Sequence, residues 1–461
     1  MSPPPEETRE ARHRRLWESD HRHLWHPFTQ MQDWLLEEPV VIDSADGVYL
    51  VDTLGNRYLD GCSSLWCNVH GHRVPEVDRA VAEQLGRVAH TTLLGLASTA
   101  SIECAEELVR VAPPNLTRVF FSDAGSTAAE IALKMAYQHF QLRGEPDRKE
   151  FVAIHGGYHG DTIGSVSIGG IDLFHRIFKP LLFPVHQAPQ PYCYRCPLGR
   201  TWPGCETACA AEVERVFESH PGRIAALVVE PVMQGADGMI AQPPGYLRRM
   251  RETCDRHGAL LVCDEVATGF GRTGTMFAVE QERVLPDIMT VAKGLTAGYL
   301  PLAATLTTER IFESFLGPFE SRKTFFHGHT YTGNPLACAA AVANLRLFRE
   351  RRVVEGLAVK ADLLARELAP LASHPRVGEV RQRGLMVGIE LVRDRATKEE
   401  YPYEARAGHQ VILEARRRGA ILRPLGSVVV LMPPLGMAAD ELCELARITR
   451  ESIDAAVARL G

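Results

Sequence analysis

The feature that most limits how this chain can fold is a series of uniformly apolar runs, each closed by a glycine-rich or polar turn. The first clear case is "RVFFSDAGSTAAEIALKMAYQHF", Arg118–Phe140, where a strand-like run meets the turn Asp123-Ala124-Gly125-Ser126 and then an Ala-, Leu- and Met-rich helical pattern. "FVAI" precedes the loop "HGGYHGD", and "IAALVV" runs on to Glu230-Pro231. Ala259–Cys263 and Ile288–Ala292 repeat the theme. Strands apolar on both faces belong in a parallel sheet covered by helices on each side. From about Asn344 the pattern changes. A long helix leads into "GEVRQRGLMVGIELV", whose alternation suits antiparallel pairing, and then into "VVVLMPPL" and a last helix. The expected organisation is α/β. Residues 1–15 read as a disordered polar arm, 16–80 as a segment contributing to a small domain, 81–343 as a large domain with a mainly parallel sheet, and 344–461 as a smaller α+β domain.

Bulk properties narrow the function classes. A chain of 461 residues, 45% hydrophobic, can bury more than one core. Its net charge of −6 comes from both signs interspersed, which leaves no basic footprint for nucleic acid. No apolar run approaches a membrane span. The polar start lacks the apolar stretch of a secretory signal, and interleaved acidic residues argue against a transit peptide. Eleven cysteines, an odd number without an export signal, point to reduced thiols and the cytoplasm.

Three positions call for a chemical reading. Lys293 directly follows the apolar run Ile288–Ala292 and precedes Gly294. A single such lysine is ordinarily a solvated loop residue. The alternative is an amine that forms a Schiff base, which requires a neutral, desolvated lysine on a rigid support. Asp264 ends the run "ALLVCD" at a strand carboxyl end, where a dry carboxylate needs a cation: a structural ion-pair partner or a protonated pyridine nitrogen. Gly125-Ser126 opens a helix after a strand. That is a plain cap, or an anion cradle in which backbone amides and the helix dipole face a phosphate. Together the three match what pyridoxal 5'-phosphate asks of its protein.

Longer motifs carry a resemblance. "CDEVATGFGRTG", "AKGLTAGYLPLAATLTT" and "FFHGHTYTGNPLACAAA" resemble the signature of the class III aminotransferases of the pyridoxal-phosphate fold-type I superfamily, over nearly the whole chain. "LWHPFTQM", "DGCSSLWCNVHGHRVPEVD", "HTTLLGL", "GYHGDTIGSVSIGGIDLFH" and "LRPLGSVVVLMPPL" are most similar to its biotin-pathway branch, which aminates a keto acid, usually from S-adenosylmethionine. The resemblance implies that Gly125 and Ser126 bind the cofactor phosphate. Tyr158 stacks on the pyridine ring, Asp264 holds the pyridinium and Lys293 carries the cofactor. It also implies a homodimer in which Thr330 reaches the partner's cofactor phosphate, with Gly328 and His329 beside the site, and in which Arg423 pairs with the substrate carboxylate. Phe28, Leu65 and Trp66 are implied to shape the substrate pocket. Some family members carry tyrosine and tryptophan where this chain has Phe28 and Leu65. That departure leaves a lysine donor as the alternative, and separately another class III aminotransferase acting on an ω-amino acid or diamine is the nearest rival. Cys193, Cys196, Cys205 and Cys209, spaced C-x2-C-x8-C-x3-C, are a candidate zinc set against a reading as reduced loop thiols.

Overall fold

The computed structural model describes residues 7–460. Its centre is a seven-stranded sheet in the order Leu116–Ser122, Ala303–Thr308, Ile288–Val291, Leu260–Asp264, Ile224–Val229, Glu150–Ile154 and His186–Ala188. Only Ala303–Thr308 runs antiparallel to its neighbours; the other pairings are parallel. Ile224–Val229 and Leu260–Asp264 are buried at every position, as the uninterrupted apolar runs require. Helix Gly125–Leu142 packs on one face through Ile131, Ala132, Met135 and Ala136. Helices Ala208–Ser219 and Tyr246–His257 close the other through Phe217, Tyr246 and Met250.

Outside this layer, strands Val377–Arg383, Met386–Leu391, Arg423–Leu425 and Val428–Leu431 form an antiparallel sheet. The alternation in "GEVRQRGLMVGIELV" becomes a hairpin at one edge of it. N-terminal strands Ile42–Asp46, Tyr49–Asp52 and Arg57–Asp60 make a further sheet, which the C-terminal strand Ala420–Ile421 completes in parallel with Arg57–Asp60. The two ends of the chain therefore share a sheet.

Two expectations change. Arg9–His23 is a helix, so the expected disordered arm fails from Arg9 onward, while residues 1–6 lie outside the described residues. Thr8 caps that helix by accepting from Ala11 N at 3.2 Å, a contribution of about 1 kcal/mol. Buried His13 anchors it to Thr53 at 2.6 Å. The long helix expected from about Asn344 begins earlier and spans Pro335–Glu350. Asn334 caps it by accepting from Leu336 and Ala337, and Pro335 fills the first position, where no amide is needed. Among the described residues no helix is long and apolar enough to cross a membrane.

Candidate active site

Adjacent parallel strands bring the expected lysine and aspartate together. Asp264 ends its strand in register with Thr290 of the next, and Lys293 follows that strand by two residues. Both line a cavity of about 650 Å³ with Trp66, Asp123, Gly125, Ser126, Tyr158 and Glu230. Lys293 itself adopts a left-handed backbone (φ 44°), which strains a non-glycine residue. The turn that follows is held from outside. Buried Asn344 donates to the carbonyls of Gly294 and Leu295, both at 2.8 Å, and accepts from His70 at 2.9 Å.

Burial acts against the charged form of the amine. Burial pushes Lys293 below the ordinary lysine range, against the opposing pull of Asp264 and Glu230. Its Nζ lies 5.0 Å from the Trp66 ring centroid. No ion pair engages it among the described residues. Asp264 is held at both oxygens: Oδ1 accepts from Val266 N at 3.0 Å, and Oδ2 lies 2.6 Å from His159 Nδ1. Burial opposes charge on His159, yet the contact with Asp264 prevails and raises its pKa. Burial lifts Glu230 to about 7; its oxygens accept from Tyr158 N at 3.0 Å and Gly235 N at 2.9 Å.

The start of helix Gly125–Leu142 lies at the cavity wall. The N-cap of helix Gly125–Leu142 is Ala124, which has no side-chain oxygen for the first-turn amides. Gly125 and Ser126, in that first turn, line the cavity. Gly160 (φ +112°) lets the neighbouring loop close over it, because a Cβ there would sit 2.3 Å from Ser126 Cβ. Uncapped amides, an unpaired buried lysine and a doubly held carboxylate fit pyridoxal 5'-phosphate at its anionic, carbonyl and ring-nitrogen ends.

The remaining expected residues divide. Tyr158 lines the cavity, and its hydroxyl donates to Asp161 at 2.6 Å. Trp66 lines it too, at the end of a turn in which Ser63, Ser64 and Trp66 all have positive φ. That turn leaves Leu65 half exposed and off the cavity wall. Phe28 is exposed in a separate cleft, linked to Tyr158 through Phe174 by ring contacts of 5.3 and 6.3 Å. Arg423 is partly buried in its strand, and its Nε has no protein partner among the described residues. Gly328, His329 and Thr330 lie on an exposed loop that does not line the cavity of their own chain, although His329 bonds Asp123, which does.

His159, Glu230, Asp161 and Asn344 were not singled out from the sequence. The first and third stand inside "GYHGD", so their closeness to Tyr158 was the available signal. The four loop cysteines surround one small cavity. Among the described residues, however, the group of three or more metal-ligating side chains that converges within 4.8 Å is Glu150, His186 and His220, which contains no cysteine.

Comparisons agree with this geometry. The family model described as aminotransferase class-III matches residues 31–453. The chain belongs to the class III aminotransferases, enzymes of the fold-type I architecture. It is 57% identical over 98% of its length to an adenosylmethionine-8-amino-7-oxononanoate aminotransferase from Nitratidesulfovibrio vulgaris, covering 83% of that protein. The crystal structure of the protein of that name from Methanocaldococcus jannaschii superposes with a TM-score of 0.92 at 43% identity, covering 96% of this chain and 99% of the other. An omega transaminase from Pseudomonas jessenii, solved in complex with PMP, has a TM-score of 0.92 at 31% identity, with 96% and 98% covered.

Proposed function

We propose that this enzyme transfers an amino group from S-adenosylmethionine to 8-amino-7-oxononanoate, giving 7,8-diaminononanoate in biotin biosynthesis, with pyridoxal 5'-phosphate as cofactor. The observation that carries the chemistry is Lys293, desolvated and unpaired, in one cavity with Asp264 and the uncapped start of helix Gly125–Leu142. The acceptor and donor rest on likeness to relatives that bear that name, including one at 57% identity over nearly the whole chain.

When bound, pyridoxal 5'-phosphate supplies a conjugated cationic ring that takes up the electron pair left on the donor carbon. The protein's part is positioning and proton movement. Gly125 and Ser126 hold the phosphate through backbone amides and a hydroxyl. Asp264, oriented by His159, keeps the ring nitrogen protonated. Tyr158, on the cavity wall, would hold the ring by its face. Lys293 would hold the cofactor at its carbonyl end, and its amine, once free, would be the group placed to move the donor Cα proton. Arg423 receives the acceptor carboxylate in its guanidinium fork. Trp66, on the cavity wall, offers an aromatic face to a sulfonium cation, an attraction of roughly 0.5–2 kcal/mol.

Two such chains make the working unit, with Thr330 of each completing the partner's phosphate site. The test adds S-adenosylmethionine, lysine and simple ω-amines one at a time to the pyridoxal form and follows conversion to the pyridoxamine form by absorbance. S-adenosylmethionine is expected to convert it, and 8-amino-7-oxononanoate to convert it back. Conversion by lysine alone replaces the donor, and failure of the keto acid to reverse the change overturns the acceptor.

A further inference from the structure

The segment of residues 186–220 leaves the main sheet at strand His186–Ala188, runs through the four-cysteine loop and returns as helix Ala208–Ser219. Its two ends meet. His186 opens the strand, His220 caps the helix, and Glu150 starts the neighbouring strand, with ligand atoms of all three within 4.8 Å of one another. The imidazole centroids are 4.0 Å apart.

The surroundings orient these groups as a metal site requires. His220 Nδ1 donates to the Val216 carbonyl at 2.9 Å, which leaves Nε2 as its lone-pair nitrogen. Glu150 Oε1 accepts from Arg223 Nε at 2.7 Å, so its second oxygen is the one turned to His186, 2.9 Å from Nε2. The side chains of Glu150 and His186 remain 20% and 29% exposed, which leaves a path for an ion and its water. Two imidazoles and one carboxylate form a three-protein-ligand set suited to zinc, with a fourth position left for water.

We propose that Glu150, His186 and His220 bind a divalent zinc-class cation that clamps the two ends of the 186–220 segment together. The cation takes the place of the proton now shared between His186 Nε2 and Glu150 Oε2. The neutral His186 ring then keeps its one proton on Nδ1, exchanged through solvent, so no other reactant is needed. None of the three residues lines the cavity of Lys293, so the clamp is structural and separate from the reaction.

The test uses chelator-treated holoenzyme in which Cys193, Cys196 and Cys205 are changed to Ser, which leaves the loop a single thiol, Cys209. Equilibrium dialysis against Zn2+ should find one equivalent per chain more in this parent than in its His220→Ala derivative, whose affinity should fall at least about ten-fold. Co2+ in the same site should give visible ligand-field bands without thiolate charge-transfer absorption. Zn2+ should raise the melting temperature of the parent and not of the derivative. Glu150→Gln reads the same loss if His220→Ala does not fold. Equal metal uptake by parent and derivative, or a thiolate band on Co2+, overturns the proposal.

Discussion

His159 Nδ1 lies 2.6 Å from Asp264 Oδ2, both side chains buried, although 105 residues separate them in the chain. With Val266 N on the other oxygen, the carboxylate is held in one orientation. A hydrogen bond to a charged group is worth about 1.5–3 kcal/mol. His159→Phe should therefore weaken cofactor binding by roughly ten- to a hundred-fold. Titration of the apoprotein with pyridoxal 5'-phosphate measures this, and unchanged affinity would show that Asp264 is positioned without the histidine.

Glu230 makes stability depend on pH in a calculable direction. Its folded pKa of about 7 stands above the unfolded value of 4.5, so the folded state holds the extra proton between those limits. Stability must fall as pH rises through that window, by on the order of 1–3 kcal/mol for this group. Urea midpoints of the apoprotein at pH 5 and pH 7.5 should differ more for the parent than for Glu230→Gln. Identical pH slopes would contradict the assignment.

Arg423 has a buried Nε without a protein partner among the described residues, and its guanidinium fork suits a carboxylate. Arg423→Ala should slow the acceptor half-reaction by roughly ten- to a thousand-fold, the loss of a charge-assisted contact. The donor half-reaction provides the comparison. An acceptor step of normal rate would mean that the carboxylate binds elsewhere.

Thr330 is exposed in the single chain and absent from the wall of its own cavity. If it serves the partner's phosphate, Lys293→Ala and Thr330→Ala subunits should complement each other. Hybrid dimers then carry one site with both lesions and one intact, and activity should reappear on mixing. Proven subunit exchange without recovery would assign Thr330 another role.

The parts of the site legible in the sequence are those that local pattern specifies. A buried strand announces itself by an apolar run, and the residue at its carboxyl end follows by counting, which is how Asp264 and Lys293 were found. Gly125-Ser126 was equally visible, because a helix start is a local event. Tertiary structure decided what depends on distant chain segments meeting. It placed His159 against Asp264, Asn344 under the turn after Lys293, and His220 against His186. It turned Leu65 off the cavity wall through three neighbouring positive-φ residues. It also folded Arg9–His23 into a helix held by Thr53, a contact that no pattern within those fifteen residues encodes. Periodicity reports which face of an element is buried; only packing decides which side chain from another element lies against it.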